Sequence, residues 1–220
     1  MHELLNGFLR FRTTGFPEQE ERYRQLALTG QHPRAAVVAC CDSRVDPQSI
    51  FSAGPGDLFV IRNVANLVPP YAPNADYHGT SAALEFAVRR LEVPYVVVLG
   101  HTGCGGIRAL LDGDRNSDFL GNWMRIADGV RTRVAGRPDP FAAAVREVAR
   151  LSLANLMTFP WVRERVAAGR LSLYGALFDI TAGDLLLLDD MGGEVTVTPE
   201  LARTLAPAAP RPPSPAGSPF

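Results

Sequence analysis

Apolar positions follow one spacing in the first thirty residues and another after them. Leu4, Leu5, Phe8 and Leu9 recur four apart, and a polar-rich stretch runs from about Glu18 to Leu28, which predicts two helices. Gly15 and Pro17 stand between them and predict a break. The apolar face of the first helix has few partners nearby in sequence, so it is expected to dock on another subunit.

From residue 35 the pattern becomes that of strands and helices in turn. Ala35–Cys40 (AAVVAC) and Tyr95–Leu99 (YVVVL) are short, valine-rich apolar runs, as expected of strands covered on both faces. Leu58–Ile61 is a third. Between them, Leu84, Ala87, Val88 and Leu91 share one face of a helix predicted over Thr80–Leu91. Strand, helix, strand in that order implies a right-handed crossover and parallel pairing. Further helices are predicted over Ile107–Leu111, Asp118–Val130 and Phe141–Met157. Strands over Leu171–Asp179 and Leu185–Asp189 close the pattern around a turn at Thr181-Ala182-Gly183. The expected fold is α/β, a mainly parallel central sheet flanked by helices, with N-terminal helices packing on a partner subunit. Residues 1–30 form the helical arm, 31–205 the α/β domain, and 206–220 a Pro/Ala-rich tail expected to be disordered.

Composition narrows the function. A chain of 220 residues with 46% hydrophobic positions builds one sizeable core. Its formal net charge of −1 offers no basic field for nucleic acid. No apolar run approaches the ~20 residues of a membrane helix, and the start lacks the pattern of a signal peptide, so a cytoplasmic protein is expected. Three cysteines without an export signal argue against a disulfide framework and leave metal binding or burial.

Two of the predicted strands end in unusual residues. One runs into Cys40-Cys41-Asp42-Ser43-Arg44, the other into Gly100-His101-Thr102-Gly103-Cys104. Sites in open parallel sheets form beyond the carboxyl ends of strands, so the two segments can meet despite their distance in sequence. Either half alone is weak, since a cysteine at a strand end is ordinarily core packing. Together Cys40, His101 and Cys104 make three metal ligands with a fourth position open, the layout of a catalytic zinc site. If extended geometry persists, Cys41 faces the other side and packs as a plain thiol. Asp42 and Arg44 are close enough to pair, and Arg holds a carboxylate bidentately and keeps it ionised.

The segments CCDSR and HTGCGG resemble the Cys-x-Asp-Ser-Arg and His-x-x-Cys-Gly-Gly signatures of β-carbonic anhydrases, with wording nearest the plant-like branch. The similarity runs on through Gly56–Asn66, Leu67–Tyr71, Gly79–Val88 and Asn155-Leu156 to Pro160-Trp161-Val162, about residues 25 to 190. This resemblance implies one Zn2+ per subunit on Cys40, His101 and Cys104, with Asp42 and Arg44 as a catalytic dyad. It implies Gln31, Phe59 and Val64 around carbon dioxide, Gln31 reaching across a dimer interface. The implied reaction is reversible hydration of CO2 to bicarbonate and a proton, by attack of a zinc-bound hydroxide. Backbone N–H groups near Gly105 are expected to meet charge on the substrate oxygens. Two thiolate ligands make the ion a weaker Lewis acid than a three-histidine site, so activity is expected to rise through the alkaline range. The implied assembly is a homodimer, with a tetramer or larger form left open.

The chain also departs from the family pattern. Cys41 replaces the usual Ser, Phe86 a common Tyr, and one residue is inserted between Tyr71 and Tyr77. Some members hold inhibitory bicarbonate with Trp, Arg and Tyr; the matching Val37, Arg62 and Phe178 predict no such site. Rival readings are a zinc enzyme acting on carbonyl sulfide or carbon disulfide, a zinc-stabilised binding protein, and cysteine redox chemistry. A Rossmann or P-loop nucleotide site lacks its glycine pattern here.

Overall fold

The computed structural model describes residues 1–113, 117–189 and 192–204. The segment 206–220 lies outside the described residues.

Among the described residues, six strands form one sheet: β1 (Ala35–Cys40), β2 (Leu58–Asn63), β3 (Tyr95–His101), β4 (Ser172–Phe178), β5 (Leu185–Leu188) and β6 (Glu194–Thr196). Their order is β2-β1-β3-β4-β5-β6, with β2, β1, β3 and β4 mutually parallel and β5 and β6 antiparallel. The mainly parallel α/β sheet is thus as the valine-rich runs predict. The chain leaves β1 for β2 on one side and later leaves β3 for β4 on the other. The carboxyl ends of adjacent β1 and β3 therefore flank a switch point, where connecting loops diverge and leave a crevice.

Side-chain alternation divides the core. Ala36, Val38, Cys40, Val96 and Val98 point into the larger cluster, with Leu84, Val88, Ile107 and Val148 from the helices. The longest of these helices, Pro140–Leu156, starts on Asp139, whose carboxylate accepts the Ala142 N–H and satisfies one of the free amides of the first turn. Val37, Ala39, Leu99 and Ala176 point to the opposite face and a smaller cluster. That face is thinly covered: Val45, Ile50 and Phe51 cap it, while Leu58, Val97, Phe178, Leu185 and Leu187 stay half-buried.

The N-terminal arm differs from expectation. Gly15 and Pro17 do not separate two helices. His2–Arg10 and Phe16–Thr29 run on through a π-turn at Phe11–Gly15, closed by the Phe16 N–H on the Phe11 carbonyl. The wider turn absorbs the disturbance of a proline without an N–H. Phe11, Phe16 and Tyr23 pack together across it, with ring centroids 5.4–6.3 Å apart. No residue of the first helix is buried, and Leu4, Leu5, Phe8 and Leu9 are 55–74% exposed. No described helix is long and apolar enough to cross a membrane.

Candidate active site

Cys40 ends β1 and His101 ends β3, and the pairing of Ala39 with Leu99 sets the two ends side by side. After His101 the chain turns back at Gly103, whose φ of +69° is one that glycine adopts without strain. This delivers Cys104 to the start of the helix Gly105–Asp112. Gly106 lets that helix approach closely, because a Cβ there would stand 2.7 Å from Val64 Cγ1 and 3.0 Å from Ala65 Cβ. Local backbone chemistry thus converts strand ends into a cluster.

Cys40, His101 and Cys104 are all buried, and one ligand atom from each lies within 4.8 Å of the others. The two sulfurs are 3.8 Å apart. Two thiolates on one tetrahedral zinc, each at ~2.3 Å, would stand about 3.8 Å apart. The Thr102 carbonyl is 2.8 Å from His101 Nδ1 and can only accept, so Nδ1 carries the proton. Nε2 is then a bare lone pair, buried and without a hydrogen-bond partner. An orphaned acceptor of this kind costs about 1–3 kcal/mol unless something fills it. The donor set fits a divalent zinc ion, and the carbonyl behind His101 orients the ring as outer partners of metal-bound histidines do. The hydrogen bond between the two sulfurs pulls the Cys40 thiol below its ordinary pKa and pushes Cys104 up. A bound divalent cation would favour both sulfurs as thiolates.

Beside the cluster, Asp42 and Arg44 form the expected pair. Arg44 Nε donates to Asp42 Oδ1 at 2.9 Å and Nη2 to Oδ2 at 2.7 Å, while the Arg44 backbone N–H reaches Oδ1 at 3.0 Å. These bonds, that of the side chain first, hold the Asp42 carboxyl well below the usual carboxylate range. Arg44 Nη2 also reaches the Gly103 carbonyl at 3.1 Å, tying the two motif segments together. The pair arises from a turn, in which the Val45 N–H bonds the Asp42 carbonyl, and not from strand alternation. For the same reason Cys41 is exposed instead of packed: β1 ends at Cys40, so extended geometry does not persist.

Val64 and Gly105 stand at this end of the sheet. Trp123 Nε1 donates to the Val64 carbonyl at 2.8 Å. Gln31 and Phe59 do not join them within one chain. Gln31 precedes β1 at its amino end, and Phe59 pairs with Ala36, about 13 Å down the strand from the level of Cys40. There Phe59 stacks on Phe86, centroids 5.8 Å apart.

A further support of the site depends on contacts distant in sequence. Ala65 and Asn66 are consecutive non-glycine residues at φ +63° and +47°, both buried. Each such residue costs of order 1–3 kcal/mol and persists only where its surroundings fix it. Here the Asn63 side chain spans the turn through both the N–H and the carbonyl of Leu67, and Ser152 Oγ bonds the Asn66 carbonyl and the Val68 N–H. No propensity signal marks Ala65 for such a conformation.

Comparison with known proteins agrees with this geometry. A family model described as carbonic anhydrase matches residues 35–185. The chain is 38% identical over 196 residues to carbonic anhydrase 1 of Escherichia coli O157:H7, covering 86% of this chain and 88% of that one. It is 33% identical over 205 residues to a carbonic anhydrase of Synechococcus elongatus, covering 89% and 74%. The solved β-carbonic anhydrase CcaA superposes with a TM-score of 0.83 at 34% identity, covering 90% of this chain and 92% of that one. Tetrameric β-carbonic anhydrases of Sordaria macrospora give 0.76 at 29%, covering 88% and 98%. With the family model spanning most of the α/β region and relatives matched along nearly its whole length, this chain belongs to the carbonic anhydrase family, in its β class.

Proposed function

We propose that this chain catalyses the reversible hydration of carbon dioxide to bicarbonate and a proton, with one zinc ion per subunit on Cys40, His101 and Cys104. The observation that carries the reading is the meeting of two sulfurs and a bare imidazole nitrogen beside a carboxylate held by arginine. A zinc ion supplies Lewis acidity there, making water acidic enough to serve as nucleophile. Asp42, kept anionic by Arg44, offers an oxygen that accepts a hydrogen bond from the reacting water and so aims its lone pair. Val64 gives an apolar wall for an uncharged, linear substrate. Backbone N–H groups from Gly105 onward face the charge that develops on the substrate oxygens. The proton leaves to solvent.

The pocket is completed by a second copy, which supplies Gln31 and Phe59. Two surfaces of the single chain support a homodimer: the exposed face of Leu4, Leu5, Phe8 and Leu9, and the thinly covered sheet face. Dimers pairing further into tetramers would match the Sordaria structures. A cytoplasmic setting suits the chemistry, since a reducing compartment keeps Cys40 and Cys104 from oxidising to a disulfide and free to bind a metal ion.

Stopped-flow hydration of CO2 by purified protein, with zinc quantified on the same sample, tests the reading. About one zinc per chain and turnover far above buffer are expected. A zinc-replete protein that leaves CO2 untouched and hydrolyses carbonyl sulfide or carbon disulfide would replace it with the nearest rival. A second test concerns assembly. Leu5→Glu with Phe8→Glu places charge on an apolar face that a partner must desolvate. Light scattering is expected to show monomers, with hydration at least ~10-fold slower because Gln31 and Phe59 no longer reach the partner's site. A fully active monomer would show that one chain suffices.

A further inference from the structure

Arg62 lies on the edge strand β2, opposite Ala39, and its guanidinium is spent on backbone. Nε donates to the Cys40 carbonyl at 3.1 Å, and Nη2 donates to the carbonyls of Asp42 at 2.7 Å and Val45 at 2.9 Å. One side chain thus grips three carbonyls along the turn that carries a proposed zinc ligand and the proposed catalytic carboxylate. Hydrogen bonds from Ser49 hold the nearby Asp46 carboxyl below the ordinary aspartate range, and the charge of Arg62 adds to them. The hydrogen bonds of Arg62 itself go to neutral carbonyls, and peptide carbonyls take the planar fork of arginine better than the point charge of lysine.

The grip matters because Asp42 lies past the end of β1. Cys40 is fixed by the sheet, through its pairing with Asn63 and the bond from the Cys41 N–H to the Asn63 carbonyl at 2.9 Å. Beyond that point the ladder stops. The side-chain partner of Asp42, Arg44, belongs to the same turn and is 53% exposed, so the pair could swing as a unit. Arg44 reaches the neighbouring turn at Gly103, and Arg62 ties the backbone of the turn back to the sheet.

We propose that Arg62 is a positioning residue for the hydration reaction: it fixes the Cys40–Val45 turn on β2 and thereby aims the Asp42 carboxylate. The proposal rests on the function given above. It separates the two jobs of the turn, since metal binding depends on the strand end and rate depends on the clamp.

The test compares zinc-loaded wild type, Arg62→Ala, Arg62→Lys, Asp42→Ala and the double variant Asp42→Ala/Arg62→Ala in stopped-flow hydration, with zinc content measured throughout. Arg62→Ala is expected to keep its zinc and its KM and to lose kcat by about 10- to 100-fold, the size of effect that a misplacement near 1 Å produces. Arg62→Lys should recover part of that loss. The double variant should be no slower than Asp42→Ala alone, because a clamp that acts through Asp42 has nothing left to position. Wild-type kcat in Arg62→Ala would overturn the proposal, as would a full further loss in the double variant or a loss of zinc in parallel with rate. If Arg62→Ala does not fold, Arg62→Lys decides: a several-fold lower kcat with full zinc supports the clamp, and wild-type kcat removes it. Zinc-loaded wild type with no hydration would overturn the parent function and this proposal together, whereas an active wild type with an unaffected Arg62→Ala removes this one alone.

Discussion

Cys104→Ser is expected to be purified with less than about a tenth of the wild-type zinc and to hydrate CO2 at the rate of buffer. The substitution removes one atom's worth of softness and most of the acidity. A thiol becomes a thiolate when it meets a divalent ion, whereas a serine hydroxyl does not ionise at neutral pH and offers a hard, neutral oxygen. Two donors then remain of the three on the protein, in a pocket where Cys104 is 2% and Cys40 4% exposed and solvent cannot easily substitute. The loss should also be visible as stability. A ligand that binds only the native state adds about 4 kcal/mol at a thousand times its Kd, so the variant and the chelator-treated wild type should melt at similarly lowered temperatures. Metal analysis, calorimetry and stopped-flow rates on one preparation check all three parts. Cys41→Ser is the control. Its thiol is exposed at the end of β1 and outside the ligand cluster, so zinc and rate should stay as in wild type. Full zinc in Cys104→Ser, or zinc lost from Cys41→Ser, would mean that the ligand set is misassigned.

Asp42→Ala should behave in the opposite way, keeping zinc at about one per chain and losing kcat by about 10²- to 10⁴-fold, the usual worth of a positioned proton-accepting group. Asp42 takes no part in the ligand cluster; its oxygens are turned to Arg44, with the side chain 15% exposed. The sign of the pH effect follows from the same bonds. The folded state depresses the pKa of Asp42, so the pair contributes to stability above the ordinary aspartate value of about 3.9. That contribution is lost as pH falls through the lower folded value. Between about pH 5 and 9 Asp42 therefore stays anionic, and any rise of wild-type rate across that range comes from another group. A rate profile with a midpoint removed by Asp42→Asn would contradict this.

The sheet and the convergence of Cys40, His101 and Cys104 at its carboxyl edge are legible in the sequence because their causes are local. Valine-rich runs at Ala35–Cys40 and Tyr95–Leu99 can be covered on both faces only inside a parallel sheet, and a cysteine or histidine at each carboxyl end is placed by the strand before it. Asp42 and Arg44 were legible for the same reason, being two residues apart. Features that depend on distant partners were not. Pro17 alone predicts a break, but an aromatic trio and a π-turn carry the helix past it. Alternation carried past Cys40 would pack Cys41, but β1 ends at Cys40 and leaves it exposed. The left-handed Ala65 and Asn66 are held by Ser152, more than eighty residues on, and the grip of Arg62 on three carbonyls depends on strand register. The sequence by itself determined which atoms could bind a metal ion and which strands would present them. Only the tertiary structure decided how far apart those atoms stand, which residues hold the Asp42 turn, and that Gln31 and Phe59 lie away from the cluster within one chain. Local propensity acts within a few residues, while spacing and clamping are set by packing between segments that the chain itself keeps far apart.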